Sequence, residues 1–347
     1  MNPSFPPPPL AIGSALAESL LRRRPPHTLP WRWDASMAMV GLGHLMDASP
    51  SLRDRHLGAL EEYQSRHLTA PSISLSDQCL GAQTSVRLLS WTECTEARFA
   101  SARVTRYLRS APENSHGVLE HLGRHAWVRH LVRPGVWVDS MMMYVVTAAQ
   151  LGALTQQPWL TRMAARHAEA FCAHLQSRCG LFRHARLSPD RRAPVHWLRG
   201  NGWAAVCLVE LLDVAPGLRA AFERQANVLL DRQCKSGLWP TIVDTPTSPS
   251  ETSGTALVAY ALALGARRGW LASGAREAAW RAWKGLCSRL VSSRFGTTLS
   301  GISTPIIPAP AVAYRWAPRL SGLNYGVGAM MMLAAELARD VSSGSPT

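Results

Sequence analysis

Apolar residues recur at helical spacing along most of the chain, and stretches of strict apolar–polar alternation are absent. The pattern predicts an almost wholly α-helical protein. Twelve helices are expected, over residues 10–24, 34–47, 51–66, 77–90, 95–109, 138–153, 158–176, 200–213, 216–232, 252–268, 273–291 and 324–340, which make six helical hairpins. Related turns precede alternate helices: Gly117-Val-Leu-Glu-His121, Gly180-Leu-Phe-Arg-His184 and Gly237-Leu-Trp-Pro-Thr241, with a weaker echo at Gly296. Their spacings of 63, 57 and 59 residues fit one helix pair with its loops. Each glycine is expected to end an outer helix in a left-handed cap, and the apolar residue after it to tuck the chain under the core. Hairpins repeated in this way stack as an open solenoid or close into a ring. Six of them with no distinct capping repeat favour closure, an (α/α)6 barrel spanning residues 10–341 as one domain, with residues 1–30 forming an N-terminal segment and the first outer helix.

Polar residues reinforce the ring. Trp33-Asp34, Asp77, Asp139, Arg199-Gly-Asn201, Glu251-Thr-Ser253 and Asn324-Tyr325 each stand at the start of every second helix. A closed ring brings those starts together, and helix N-termini carry partial positive charge and unpaired N–H groups, so their meeting point forms a funnel suited to an anionic ligand. Asp, Ser, Thr and Asn are also ordinary N-caps. Recurrence at six equivalent points is what argues for a shared site.

Composition narrows the class. The 347 residues are 47% hydrophobic, enough for a packed core and unlike a disordered chain. No run approaches the roughly 20 apolar residues of a membrane span, and the N-terminus, with Pro6 to Pro9 and then Arg22 to Arg24, lacks a signal-peptide pattern. Seven scattered cysteines with no C-x-x-C argue against a disulfide framework or a zinc knuckle, and Cys79, Cys207 and Cys287 have no histidine at ligand spacing. A cytoplasmic protein without metal or organic cofactor is expected. The formal charge is +14, and all basic residues except Lys235 and Lys284 are arginines. They are spread along the chain with no RNP-like motif or basic helix, which suits an acidic small ligand better than nucleic acid. Oligomeric state has no signature in the sequence.

Three strings carry candidate chemistry. Trp137-Val-Asp139-Ser-Met-Met-Met143 sets a carboxylate beside tryptophan and methionine, surroundings expected to exclude water and raise the Asp139 pKa toward a proton donor; its bland counterpart is a capped, half-buried helix start. Asp77, within Ser74-Leu-Ser-Asp77-Gln-Cys-Leu-Gly81, supplies a second carboxylate at the equivalent point of the preceding hairpin. Alone it reads as an N-cap; paired across a cleft, two carboxylates are the apparatus of glycoside chemistry. Trp197-Leu-Arg199-Gly-Asn201-Gly-Trp203 offers tryptophan faces for a sugar ring, a guanidinium fork for a carboxylate and glycines that let the backbone approach. His121 and His184 end two of the repeated turns and are placed to reach the funnel mouth. The small residues after Glu251 suit close helix packing, and the Met141–Met143 and Met330–Met332 runs suit core filling.

The strings W-V-D-S-M-M-M, W-L-R-G-N-G-W-A and E-T-S-G-T-A-L-V-A-Y-A-L, in this order, resemble those of the unsaturated glucuronyl and rhamnogalacturonyl hydrolases, glycoside hydrolase families 88 and 105. The closing Asn324-Tyr-Gly-Val-Gly328 with its methionine run is similar to that family's last inner helix, so the likeness extends from Trp33 to Leu337. It implies an (α/α)6 barrel that removes a 4,5-unsaturated uronic acid from the non-reducing end of lyase-generated oligosaccharides. The implied chemistry is a hydration: an aspartate protonates C4 of the vinyl ether and takes a proton from the water attacking C5, and the hemiketal then opens to release the aglycone. By this resemblance Asp139 is the acid/base and Asp77 positions the sugar; Trp197, Arg199, Asn201 and Trp203 line the subsite, with His184 beside it. Trp137 and Trp33 add aromatic contacts, and either His121 or His130 fills a further histidine position. An unsaturated rhamnogalacturonyl substrate is slightly preferred, and the segment from Arg186 to His196 bears on the aglycone. Two other readings stay open: an inverting glycosidase using Asp77 and Asp139 on saturated substrates, and an acidic-carbohydrate-binding protein without turnover.

Overall fold

A computed structural model describes residues 7–66, 73–123, 135–187 and 191–342. Among them, six outer helices, α1 (Pro9–Arg23), α3 (Pro50–Ser65), α5 (Thr95–Ser110), α7 (Pro158–Leu175), α9 (Arg219–Asp231) and α11 (Ser273–Cys287), surround six inner ones. The inner helices are α2 (Trp33–Ala48), α4 (Ala82–Trp91), α6 (Thr147–Leu154), α8 (Leu198–Leu211), α10 (Thr252–Arg267) and α13 (Asn324–Ser342); a π-helical turn, Met141–Val146, leads into α6, and a short α12 (Ala311–Trp316) lies between α11 and α13. Burial follows the pattern in the sequence. Every residue of α10 from Thr252 to Gly265 is buried, as befits a helix apolar all round. In α5 only a stripe containing Ala97, Ala100, Ser101, Val104, Tyr107 and Leu108 turns inward. Proline at the first turn starts α1, α3 and α7, where its missing N–H costs nothing.

The ring closes where α13 packs against both α10 and α2, which makes the fold the expected (α/α)6 barrel rather than an open stack. The α2–α13 seam is a contact of backbones: a Cβ at Gly41 would lie 2.3 Å from Gly328 O, and one at Gly328 would lie 2.2 Å from Met37 O. At the far end of the barrel, where inner helices expose their partially negative C-termini, Arg87 pairs with Asp47 (3.0 Å) and His44 (2.6 Å), and Arg267 pairs with Glu336 (2.5 Å). The Tyr260 hydroxyl donates to Glu210 in the same region, where burial raises the Glu210 pKa. No described helix is long and apolar enough to cross a membrane.

The repeated glycines are left-handed, with φ of +73° at Gly117, +98° at Gly180 and +80° at Gly237, but they are not helix caps. Each closes a tight turn a few residues past the helix. The glycine N–H donates to the carbonyl of Asn114, Ser177 or Cys234, and the N–H of that residue donates to the carbonyl of Val118, Leu181 or Leu238. This is a type I turn with a glycine bulge, and it buries the apolar residue that follows. Gly296 differs: it starts one strand of a hairpin pairing β6 (Leu290–Ser293) with β7 (Gly296–Leu299). Other short strands line the loops above the inner-helix N-termini. β1 (Gly135–Trp137), β2 (Ala185–Leu187) and β3 (Arg191–Ala193) form one sheet; β4 (Trp239–Pro240) pairs with β5 (Ser250–Glu251), and β8 (Ile302–Ser303) with β9 (Arg319–Leu320). At two to four residues they are too short for alternation to register.

The seam yields a direct test. Gly328→Ala is expected to cost roughly 3 kcal/mol through overpacking of two backbones, read as a lower melting temperature. Gly58→Ala, on the exposed face of α3 with nothing within 4 Å of the added carbon, is expected to stabilise by about 0.5–1 kcal/mol. Equal melting temperatures for the Gly328 variant and the parent would contradict the closure described here.

Candidate active site

At the inner-helix N-termini, where the funnel is expected, six rings and one guanidinium form a continuous belt. His121 stacks on Trp137 at 4.5 Å and 16°; Trp137 meets the edge of His184 at 5.9 Å; His184 packs on Trp197 at 4.6 Å. The Arg199 guanidinium continues the series between Trp197 (4.4 Å) and Tyr325 (4.7 Å), and Tyr325 packs on Trp33 at 4.8 Å. Six of the residues singled out in the sequence thus lie side by side.

The two carboxylates hang from this belt, each on its own histidine. Asp139, between β1 and the π-helical turn, lies 3.1 Å from His184 Nε2. Asp77 lies 3.5 Å from His121 Nε2, on a 3₁₀ turn, Ser76–Cys79, that precedes α4 rather than forming its first turn. Ser76 holds the two segments together by donating its hydroxyl to the His121 carbonyl (2.8 Å), and Ser140 lies 2.8 Å from His121 Nδ1. Of the two histidines considered from the sequence, His121 thus stands beside Asp77, and His130 lies outside the described residues. The side chains of Asp77 and Asp139 remain 25% and 18% exposed, so both reach the funnel space.

Their pKa values are shifted in opposite directions, and not as the neighbouring residues suggest. Burial raises the pKa of Asp77, with Asp139 and Asp34 adding to the effect and His121 opposing it. Burial also acts to raise Asp139, but the hydrogen bond from His184, with His121 and Arg199 adding to the effect, holds it below the ordinary carboxylate value. The expected elevation of Asp139 is thus reversed. Trp137 and the methionines were visible beside it in sequence; His184, which overrides them, is 45 residues away.

Three further expectations are redrawn. Arg199 is not an open fork for a carboxylate: only 1% exposed, it donates from Nη1 to Ser303 O (2.9 Å), Ser303 Oγ (2.9 Å) and Ser253 Oγ (3.2 Å), and from Nη2 to Thr304 O (3.1 Å). Its Nε has no partner among the described residues. Asn201 does not line the funnel, because its amide is spent on both backbone groups of Phe182 (2.8 and 2.9 Å) and on Trp197 O (3.0 Å), clamping the Gly180 turn to α8. Trp203 lies one turn deeper than Arg199, in the main hydrophobic core and 1% exposed. Gly254 serves close packing as expected, since a Cβ there would sit 2.8 Å from Arg199 N.

The structure adds residues that the sequence did not mark as contributors. Tyr314, on α12, places its hydroxyl 2.5 Å from His184 Nδ1 although 130 residues separate them; no local pattern could reveal it. Tyr325 and Asp34 were visible as helix-start residues but had no assigned role. Among the described residues no group of three or more His, Cys, Asp and Glu side chains could hold a metal ion.

An (α/α)6 barrel with two histidine-held carboxylates in an aromatic funnel has the architecture of a glycoside hydrolase. Residues 21–341 match Glycosyl Hydrolase Family 88, and the chain belongs to that family. The unsaturated rhamnogalacturonyl hydrolase of Bacillus subtilis strain 168 is 23% identical over 262 residues, covering 72% of this chain and 75% of its own. A family 105 glycoside hydrolase from C. acetobutylicum superposes with a TM-score of 0.82 over 93% of this chain and 98% of its own, at 18% identity. The unsaturated glucuronyl hydrolase of Bacillus sp. GL1 does so with a TM-score of 0.75 over 96% of this chain and 97% of its own, at 15% identity. At these identities the solved structures establish the fold.

The opposed shifts of the two carboxylates predict opposed effects on stability. A raised folded-state pKa favours the folded protein at low pH, and that contribution is lost as pH rises through the folded value. Asp77→Asn is therefore expected to raise the melting temperature at pH 7, the gain vanishing below about pH 4. Asp139, with its lowered value, contributes stability above the unfolded pKa that is lost as pH falls. Asp139→Asn is expected to melt lower than the parent at pH 7 and to converge with it in acid. Thermal melts from pH 3 to 8 check both signs.

Proposed function

We propose that this protein removes a 4,5-unsaturated uronic acid from the non-reducing end of an oligosaccharide by hydrating its C4–C5 double bond, with unsaturated rhamnogalacturonyl fragments as the preferred substrates. The observation that carries this reading is the pair of carboxylates, Asp77 and Asp139, each oriented by a histidine within one ring-walled funnel. The sugar ring lies against the aromatic belt.

Asp139 is ionised at rest. A bound uronate brings a second negative charge beside it and displaces water from the funnel, and both changes raise its affinity for a proton. In the complex the protonated carboxyl delivers its proton to C4, positive charge develops at C5 and the ring oxygen, and a water molecule adds at C5 while returning a proton to the same carboxylate. The hemiketal then opens and the aglycone leaves. Asp77, held by His121, positions the sugar through its hydroxyls. The whole barrel acts as one catalytic domain. Seven free thiols support a reducing, cytoplasmic setting.

One observation favours a second reading. A raised and a lowered carboxylate in one cleft also describe the acid and base of an inverting glycosidase, which would cleave saturated uronides. The deciding assay follows the ultraviolet absorbance of the conjugated double bond in unsaturated pectic and glycosaminoglycan disaccharides. The wild type is expected to abolish it, and Asp139→Asn to do so about 100- to 10,000-fold more slowly. Absorbance that persists while a saturated uronide is cleaved would replace the hydration reading with the inverting one.

A further inference from the structure

Tyr314 lies fully buried on α12, in the excursion that leaves the barrel at β8 and returns at β9. Its ring packs at 5.6 Å from His184 and 6.0 Å from Trp197, in an apolar cluster with Val195 and Ile242. Its oxygen accepts the Ala309 backbone N–H at 3.2 Å and stands 2.5 Å from His184 Nδ1. Because one N–H already points at that oxygen, the phenolic proton is directed to Nδ1. A ring nitrogen that accepts carries no proton, so the imidazole proton resides on Nε2 and is donated to Asp139 Oδ2 at 3.1 Å.

We propose that Tyr314 is a positioning residue: it fixes His184 as the neutral Nε2–H tautomer, so that Asp139 is oriented by an uncharged donor and can still take up the proton it delivers to substrate. This rests on Asp139 being the acid/base group assigned above. An imidazolium at the same place would present N–H groups on both sides, one of them against a phenol whose lone pair is already engaged, and would pair with Asp139 as an ion that resists protonation. The other charged groups around the pair are His121 and Arg199 near Asp139, and Asp77 across the funnel. None of these is altered when the Tyr314 hydroxyl is removed.

Two measurements test the inference. The first needs no change at Tyr314: long-range proton–nitrogen correlation spectra of the wild type at pH 7, with the His184 signals identified by their loss in His184→Gln. The expected result is a protonated Nε2 and an unprotonated Nδ1; a proton on Nδ1 overturns the proposal whatever the protein's substrate. The second is Tyr314→Phe, which keeps the packed ring and deletes the hydroxyl. Turnover is expected to fall about tenfold, the worth of one net hydrogen bond, with KM within about twofold. The basic limb of the kcat profile should move to lower pH, because a His184 free to charge holds Asp139 ionised. A merely structural role would leave that limb in place. An unmoved limb with unchanged kcat refutes the proposal; if the variant does not fold, the wild-type spectra decide. A wild type without turnover on unsaturated uronides would sink the proposed function and leave the tautomer result standing.

Discussion

Glu251 is fully buried at the N-terminus of α10, and its two oxygens receive the N–H groups of Ser253 (2.9 Å) and Gly254 (2.6 Å), the Ser253 hydroxyl (2.7 Å) and the Ser303 N–H (3.1 Å). A carboxylate taken out of water is costly unless its lone pairs are filled, and here four donors and the positive end of a helix fill them. The rest of the funnel depends on the last of those bonds. Ser303 is the residue whose carbonyl accepts both the Arg199 guanidinium and the Tyr325 hydroxyl. It is also where the excursion carrying Tyr314 begins. A single buried side chain thereby links the position of β8, the stacking of Arg199 between two rings, and the reach of Tyr314 to His184 and so to Asp139.

The helices were legible in the sequence because their burial is periodic, and the funnel because its residues recur at equivalent points of a repeat. Trp137, Asp139, Trp197 and Arg199 could be picked out from short strings, since each sits within a few residues of a helix start that the pattern marks. What escaped is everything decided by distant neighbours. Asn201 reads as a ligand contact until Phe182 is seen to consume its amide. Arg199 reads as a free cation until Ser303 and Thr304, more than 100 residues on, are seen to occupy its donors. The sign of the Asp139 shift followed the same rule: apolar neighbours are local, and the histidine that outweighs them is not. Left-handed glycines were placed correctly and their geometry was not, because a bulged turn and a helix cap ask for the same residue.

Charge is organised on two scales. Arginines spread over the surface give the chain its net +14, a field that draws anions from a distance and weakens with salt. The funnel floor is the reverse, with Asp34, Asp77 and Asp139 close enough to influence one another. The two scales thus act in opposite senses on an anion: the shell attracts it and the carboxylates of the floor oppose it.

The far end of the barrel has a consequence of its own. Arg87, Arg267, Asp47, Glu336 and the Tyr260–Glu210 pair close the inner-helix C-termini, and the space between the two ends is filled by side chains such as Met39, Leu208 and Met331. Among the described residues these side chains belong to one continuous core that separates the two ends of the barrel. What binds beside Asp77 and Asp139 must therefore arrive and depart on the same side of the barrel.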